Sequence, residues 1–246
     1  MEDYEGGDGE GHNVAVGNKS QLNASTGEFN TSLGSLSMGL GVTTGDNNVA
    51  IGYRAGYDLT SGSANIIIGR NAGDALTSGL NNVAIGHEAL STQVLHGQNV
   101  AVGYRALKTQ NIDGHGNNTA VGMQAGMSVT TGTHNTLIGS LVGDAITAAE
   151  KNTAVGSGAL TSNVFGNYCV AIGAQALEIQ NPANGSHSVY NTAVGYNAGA
   201  DITSGHGHTI IGGEAGDKIT TSIDNTVVGK EALHTETSGS YNVAIG

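Results

Sequence analysis

Histidine and cysteine are the residue types of this chain that are best suited to chemistry. The stretch GHGHT places His206 and His208 two residues apart, and imidazole nitrogens are common ligands of transition metals. The flanking glycines indicate a solvated surface turn as the alternative. Cys169 is the single cysteine, and without a base or cation close by in the sequence it is predicted to be a buried structural thiol.

Acidic and aromatic side chains also recur at matching places. The acidic set comprises Asp74, Asp144 and Asp217, with Asp58 and Asp201 one place later in their motifs. Calcium requires several oxygen ligands at close sequence intervals, so turn formation is the favoured interpretation of these aspartates. Three tyrosines follow a recurring glycine: Tyr53, Tyr104 and Tyr196. Their rings suit either stacking on sugars or packing on the wall of a repeat structure.

Several classes of function are disfavoured. The sequence has no nucleophile elbow, phosphate-binding loop, dinucleotide fingerprint or zinc-ligand spacing, so we expect neither enzymatic activity nor a resident cofactor. The net charge is −12 and no basic patch occurs, which disfavours nucleic acid as a partner. No stretch approaches the roughly 20 apolar residues of a membrane span, so we expect no membrane insertion.

An internal repeat organises the chain and must position these residues. Fourteen units of the type N-V-A-I-G-x-x-A-G end their strand motif on an anchor glycine, and ten of the thirteen steps between these glycines are 17 residues long. We number each coil from its asparagine at position 1, so that the anchor glycine is position 5. The predicted organisation is an acidic tail at residues 1–12 and one continuous β-solenoid at residues 13–246, with a superrepeat of about 70 residues.

Two kinds of coil alternate within the superrepeat. One kind has Ala-Gly at positions 8 and 9 and an aliphatic residue at position 12, as at Leu59; the other has Ala-Leu and lacks that aliphatic residue. We interpret this as one core slot filled from two backbone positions. The three longer steps contain GLGVTTGD, QNIDGHGN and QNPANGSHSVY. Insertions are tolerated in loops, so these stretches predict one protruding edge.

The V-A-I strand is apolar on both faces, which is typical of a strand buried on both sides. We expect positions 2 and 4 to face the interior of the coil and position 3 to face other chains. The predicted oligomer interface is Ala50, Ile67, Ala84, Ala101, Ala120, Leu137, Ala154, Ala171, Ala193, Ile210 and Val227. Position 1 predicts a structural ladder of stacked amides. This ladder comprises Asn48, Asn65, Asn82, Asn99, Asn118, Asn135, Asn152, Asn191, Asn225 and Asn242.

The stretches NNVAIGYRAGYDLTSGSANIIIGRNAG and NTAVGSGALTSN resemble the repeats of phage and viral tail-fibre proteins and the shorter head repeats of trimeric autotransporter adhesins. The resemblance implies an all-β fold, a parallel β-solenoid or β-roll of about 17-residue coils in an elongated homotrimeric fibre. It also implies a virion tail-fibre segment or related appendage that reaches and attaches to a host surface. The implied partner is a glycan or protein receptor, and the location is the virion surface or extracellular space. On a threefold axis, the His206 and His208 pairs of three chains could hold a transition metal.

Three alternatives remain open from the sequence. A trimeric bacterial cell-surface adhesin head would share the same architecture. A polysaccharide-degrading tailspike would need a carboxylate pair that the sequence does not single out. An ice-binding solenoid would need an exposed threonine array. Threonine recurs at position 2, for instance at Thr119, Thr136, Thr153, Thr192, Thr209 and Thr226. We expect that position to face the core, which argues against ice binding.

Overall fold

The computed structural model describes residues 12–95, 97–112, 114–182 and 187–246. The predicted acidic tail lies outside these residues except for His12, and parts of two predicted edge insertions, Asp113 and residues 183–186, do so as well. The chain forms two compact units, Met1–Asn118 and Thr119–Gly246. The repeat is present in both, and each unit is described by itself below.

The described part of the first unit contains six strands of three residues each. They are β1 (Val14–Val16), β2 (Thr31–Leu33), β3 (Val49–Ile51), β4 (Ile66–Ile68), β5 (Val83–Ile85) and β6 (Val100–Val102). Each pairs in parallel with the next, position for position, so that Val49 lies opposite Ile66 and Ile66 opposite Val83. The connection between paired strands is therefore one full turn of the chain.

The described part of the second unit continues the pattern with eight strands in the main ladder. They are β7 (Thr119–Val121), β8 (Thr136–Ile138), β9 (Thr153–Val155), β11 (Val170–Ile172), β13 (Thr192–Val194), β14 (Thr209–Ile211), β15 (Thr226–Val228) and β16 (Val243–Ile245). Two further short strands, β10 (Gly166–Asn167) and β12 (His187–Ser188), pair in parallel with each other. This small second sheet accompanies the longest insertion.

Each unit is thus an all-β parallel solenoid, which confirms the predicted fold class and coil length. Hydrogen bonds join neighbouring coils outside the strands as well: the Gly56 amide donates to the Ala72 carbonyl at 3.0 Å, and the Leu90 amide to the Ala106 carbonyl at 3.0 Å. Such stacking satisfies backbone groups that a single thin coil would leave unpaired. No helix of the described residues is long and apolar enough to cross a membrane.

The anchor glycines are required by close approach between coils. Gly69 has a φ of 133°, and a Cβ built on it would lie 2.6 Å from the carbonyl oxygen of Gly86 in the next coil. Gly139 in the second unit has a φ of 143° and would place a Cβ 2.5 Å from the Gly156 carbonyl oxygen. These φ values are rarely adopted by L side chains. The anchor column therefore admits only glycine in both units.

The interior of the coil corrects the predicted direction of the strand side chains. Position 3 points inward: all eleven residues of the predicted interface, from Ala50 to Val227, are fully buried within a single chain. They therefore cannot form an oligomer interface without unfolding the coil. The physical reason is width, because the interior is also filled from the turn, by Ala55 at position 8 and Leu59 at position 12. Alanine fills the space opposite them in most coils, while the larger Ile67 packs over the glycines at position 9, where a Cβ on Gly56 or Gly73 would lie 3.0 or 3.4 Å from its side chain.

The two kinds of coil fill one core slot, as interpreted from the sequence. In the Ala-Gly coil of Gly199, a Cβ on that glycine would lie 2.8 Å from Cδ1 of Ile202 at position 12. In the Ala-Leu coils, Leu90 and Leu160 occupy position 9 at φ values of 52° and 51° and are fully buried. A left-handed L residue costs about 1–2 kcal/mol. Burial of a leucine side chain stabilises the fold by roughly 1.5–3 kcal/mol, which offsets the cost of the strained conformation.

Candidate functional site

The outer face is the surface formed by the side chains at positions 2 and 4 of the strands. Because position 3 points inward, its two neighbours in the strand must point outward. Ile66 is 41% exposed and Ile211 is 42% exposed, while Ile51 and Ile85 are half-buried. Identical positions of successive strands lie side by side, so each unit presents two parallel rows of β-branched and leucine side chains.

The two units differ in one of these rows. In the first unit, position 2 is Val or Ile except at Thr31, and position 4 is always aliphatic. In the second unit, position 4 is again aliphatic, but position 2 carries the six threonines from Thr119 to Thr226. The threonines pair in register, for example Thr192 with Thr209 and Thr209 with Thr226. The expectation that these threonines face the core is therefore wrong.

The asparagines at position 1 form a hydrogen-bonded ladder at one corner of the coil. The Asn65 backbone amide and Nδ2 both donate to Oδ1 of Asn48, each at 3.0 Å, and Nδ2 of Asn65 also donates to the Gly79 carbonyl at 2.8 Å. In the second unit, the Asn152 amide donates to Oδ1 of Asn135 at 3.1 Å. Each asparagine thus joins two coils and closes its own turn, which is a structural role.

His208 occupies a rung of this ladder, and this placement corrects the metal prediction for His206 and His208. The Asn225 amide donates to Nδ1 of His208 at 3.2 Å, and Nε2 lies 2.9 Å from the Ser222 carbonyl. Both ring nitrogens therefore form hydrogen bonds, in an arrangement that fits a neutral imidazole with its proton on Nε2. Burial lowers the pKa of His208. His206 is exposed, so the pair does not present two free nitrogens to a metal.

Cys169 occupies another rung and is fully buried. Its amide donates to Oδ1 of Asn152 at 2.9 Å, and Sγ lies 3.7 Å from Oε1 of Gln180. Burial raises the pKa of the thiol to about 12. The thiolate is the reactive form of cysteine, so Cys169 contributes packing and a backbone hydrogen bond here and not nucleophilic chemistry.

Buried amides at position 12 are a feature that the sequence analysis missed. Ala-Leu coils have Gln93, Gln110, Asn163 and Gln180 at this position, all fully buried. Oε1 of Gln93 accepts a hydrogen bond from Asn99 Nδ2 at 3.2 Å, while Asn163 bonds both backbone groups of Gly166, at 2.8 and 2.7 Å. The recurrence of Gln or Asn seven residues after the anchor glycine is the signal that identifies them.

The recurring aspartates lie on turns, some of them beside basic side chains. Asp74 lies 3.9 Å from Arg54, and Asp217 lies 2.7 Å from His234 and 3.4 Å from Lys218. Burial raises the pKa of Asp74. Asp58 and Asp144 also have raised pKa values, from burial. Among the described residues, no group of three or more His, Cys, Asp or Glu side chains is arranged to hold a metal ion.

The tyrosines that follow the anchor glycines are exposed on the turn beside the outer face. Tyr53 is 46% exposed, and Tyr104 and Tyr196 are comparably open. Tyr104 lies beside its neighbours, with its ring centroid 5.6 Å from His87 and 4.9 Å from the Arg105 guanidinium carbon. Tyr104 therefore contacts the preceding coil as well as its own.

The outer face is a regular surface of each unit whose apolar composition the fold does not explain. The interior, the ladder and the anchor column all have internal partners, whereas the outward aliphatic rows are open to water in the single chain. Such rows can bury apolar area against a matching surface. No family model, curated protein or solved structure matches the chain.

Proposed function

We propose that this protein is a structural segment of a homotrimeric fibre, in which the outer faces of the chains pack against one another. The observation that carries this proposal is the unbroken outward row of Val, Ile and Leu at position 4 in both units. A solvated sheet face normally carries polar side chains, and large exposed apolar patches mark association sites. The resemblance of the repeats to trimeric fibre and adhesin heads supports the number three.

The interior of the coil supports a structural role. Core side chains such as Leu59, Leu76 and Ile146 are fully buried within one chain. Partner chains are therefore needed to bury the outer face and not to complete the hydrophobic core. Stacked coils that pack through a shared outer face can form an extended spacer, and this role requires no ligand site. We propose a tail fibre or related appendage at a virion surface or in the extracellular space, which reaches a host surface and attaches to it.

The test is the association state of a matched pair of variants. Ile66 lies on the outer face and Tyr53 on the adjacent turn, and their exposures are similar at 41% and 46%. Sedimentation is expected to give a trimer for the unchanged protein and for Tyr53→Glu. Ile66→Glu is expected to dissociate it, because each copy would bury an unpaired carboxylate. A monomeric unchanged protein would overturn the proposal.

Ice binding is a second candidate because the six threonines of the second unit point outward. Thr209 is exposed and the other five are half-buried, so hydroxyl and methyl groups form a row beside the aliphatic row, interrupted at Val170. The measurement is thermal hysteresis of the unchanged protein and of Thr209→Lys. Hysteresis that the lysine abolishes would favour this candidate, whereas a trimer without hysteresis would eliminate it.

A further inference from the structure

The residue that precedes position 1 lies on an exposed corner, and in the second unit its side chains form a row. Five successive coils supply Lys151, Tyr168, Tyr190, Gly207 and Asp224. The strands that follow them pair in register, which makes these rungs consecutive; the pairs are Thr153–Val170, Val170–Thr192, Thr192–Thr209 and Thr209–Thr226. Neighbouring rungs are therefore about 4.8 Å apart.

Two tyrosines of this row are stacked. The ring centroids of Tyr168 and Tyr190 lie 5.0 Å apart with an interplanar angle of 14°. Nζ of Lys151 lies 5.2 Å from the Tyr168 ring centroid and 3.3 Å from its hydroxyl. Tyr168 is therefore covered from both sides. Tyr190 is covered on one side only, and it is 60% exposed.

The stack lies where the longest insertion rejoins the repeat. It ends at Tyr190, and the small sheet of β10 and β12 precedes both tyrosines: the Val189 amide donates to the Asn167 carbonyl at 3.1 Å, and Val189 is buried. Tyr168 and Tyr190 have φ values of 62° and 55°, a conformation unusual for bulky residues. Other coils place asparagine here, at Asn47, Asn81 and Asn117. The same position also carries Phe29 and Tyr241, and the rings of His12 and Phe29 are stacked there with centroids 4.9 Å apart. This corner therefore accommodates stacked rings in both units.

The next rung leaves a slot beside the free face of Tyr190. Gly207 has no side chain, and its amide donates to the Val189 carbonyl at 2.9 Å, which fixes it one coil beyond Tyr190. In the following rung the exposed Asp224 reaches back, since a Cβ on Gly207 would collide with Asp224 Oδ1. The Asp224 carboxylate therefore lies at the level of the Gly207 rung, about 4.8 Å along the stack from the Tyr190 rung. It borders the open space over the free face of the Tyr190 ring.

We propose that this slot, formed by Tyr190, Gly207 and Asp224, binds a neutral pyranose ring of a glycan. The weakly positive C–H groups of a sugar face stack on the negative face of an aromatic ring, and Asp224 accepts hydrogen bonds from two ring hydroxyls. Acidic sugars are disfavoured, because no described basic side chain lies within ion-pair distance of Asp224 and the chain carries a net charge of −12. The inference rests on the proposed attachment role, for which it names the chemical class of the partner.

The test uses simple glycosides and two pairs of variants. The probes are methyl β-glucopyranoside, methyl β-galactopyranoside and methyl α-mannopyranoside, with methyl β-glucuronide as the charged counterpart of the first. Binding is measured by saturation-transfer NMR and titration on the full chain. Tyr190→Ala removes the platform, and Gly207→Asn fills the slot with the residue that other coils carry there. Tyr196→Ala and Gly213→Asn are the controls, an exposed tyrosine of the same coil and a glycine with open space around it.

We expect at least one neutral glycoside to bind, at least tenfold loss in Tyr190→Ala and Gly207→Asn, and unchanged binding in both controls. The glucuronide is expected to bind at least several-fold more weakly than the glucoside. Absence of binding by all three neutral probes, tighter binding of the glucuronide, or unchanged binding in Gly207→Asn overturns the inference. Sedimentation of the same samples separates the two proposals: a trimer without sugar binding refutes the site alone, and a monomer that binds sugar refutes the fibre alone.

Discussion

The two units have the same interior and different outer faces. Position 3 is fully buried in both, from Ala50 in the first to Val227 in the second, and the anchor column is glycine throughout. Position 2, in contrast, is Val or Ile in nearly all coils of the first unit and mostly Thr in the second. The comparison indicates that stacking fixes the inward positions, while the outward ones are free to determine what each unit contacts.

The largest effect should come from an anchor glycine, and it should be equal in the two units. Gly69→Ala and Gly139→Ala would each place a Cβ within 2.6 Å of a carbonyl oxygen in the next coil. We expect each to lower the free energy of unfolding by about 3–5 kcal/mol, measured by urea denaturation. Gly213→Ala, with no atom within 4 Å of its Cβ, is the control. Tolerance of the substitution in one unit only would show that the interiors are not equivalent.

The outer face should respond unequally. Ile66→Ser removes several carbons from the first unit's face, which at about 0.8 kcal/mol per CH₂ amounts to about 2 kcal/mol per copy, or about 30-fold in association. Thr209→Ser in the second unit removes one methyl group, or about fourfold. Sedimentation equilibrium measures both. Equal effects would mean that position 2 contributes equally to the free energy of association in the two units, despite its different composition.

Acid should destabilise the second unit more than the first through His208. The group's ordinary pKa is 6.5 and burial lowers it in the folded protein, so the unfolded chain binds the proton more readily. The stability contributed by the neutral ring is fully present above about pH 6.5 and is lost as the pH falls below that value. A protonated Nδ1 would also face the Asn225 amide, which is a donor. Nearby Asp224 opposes this effect and His206 reinforces it.

The measurement is hydrogen exchange in each unit between pH 7.5 and 5.5, corrected for the intrinsic rate. His208→Asn restores the amide that other rungs carry and should remove the extra acid sensitivity of the second unit. If protection in the two units falls in parallel, or if the variant behaves as the unchanged protein does, His208 is not the group responsible.

The smallest difference concerns the buried amides of position 12. Asn163 in the second unit has hydrogen bonds to both backbone groups of Gly166, whereas Nε2 of Gln93 in the first unit lacks a partner. Asn163→Leu should cost about 1–2 kcal/mol, and Gln93→Leu less than about 0.5 kcal/mol, because a half-satisfied buried amide contributes little. Thermal unfolding of both variants, with Leu59→Met as a volume-conserving control in an Ala-Gly coil, tests the order.

The repeat period predicts much of this architecture. Constant spacing between anchor glycines indicates stacked coils, and the correspondence of Leu90 with Leu59 indicates a single core slot. The direction of the strand could not be predicted in the same way. Because V-A-I is apolar at every position, alternation leaves two choices, and side-chain size alone favours the Val and Ile positions as the core. The turn decides the matter, because its buried residues, such as Ala55, Leu59 and Leu90, fill the interior opposite position 3.

The corner shows the same division between periodic and local information. Asparagine at position 1 is evident from recurrence alone, but the partners of His208 are not, since they require knowing that Ser222 and Asn225 lie on either side of its ring. The Tyr168–Tyr190 stack was missed because an insertion separates the two residues and the neighbouring coils carry other residue types, Lys151 and Gly207, at the same position. Properties that repeat are thus predictable from the sequence, and those created by an exception to the repeat are not.

The pairing of positions 9 and 12 has a consequence for how such a chain can change over generations. A coil that gains leucine at position 9 must lose its aliphatic residue at position 12, so single substitutions pass through an overfilled or hollow intermediate. Duplication or loss of a complete coil avoids that intermediate, because each repeat position then contacts the same position of the new neighbouring coil. We therefore expect the length of the chain to change by whole coils during evolution. Residues of the outer face, in contrast, can change by single substitutions.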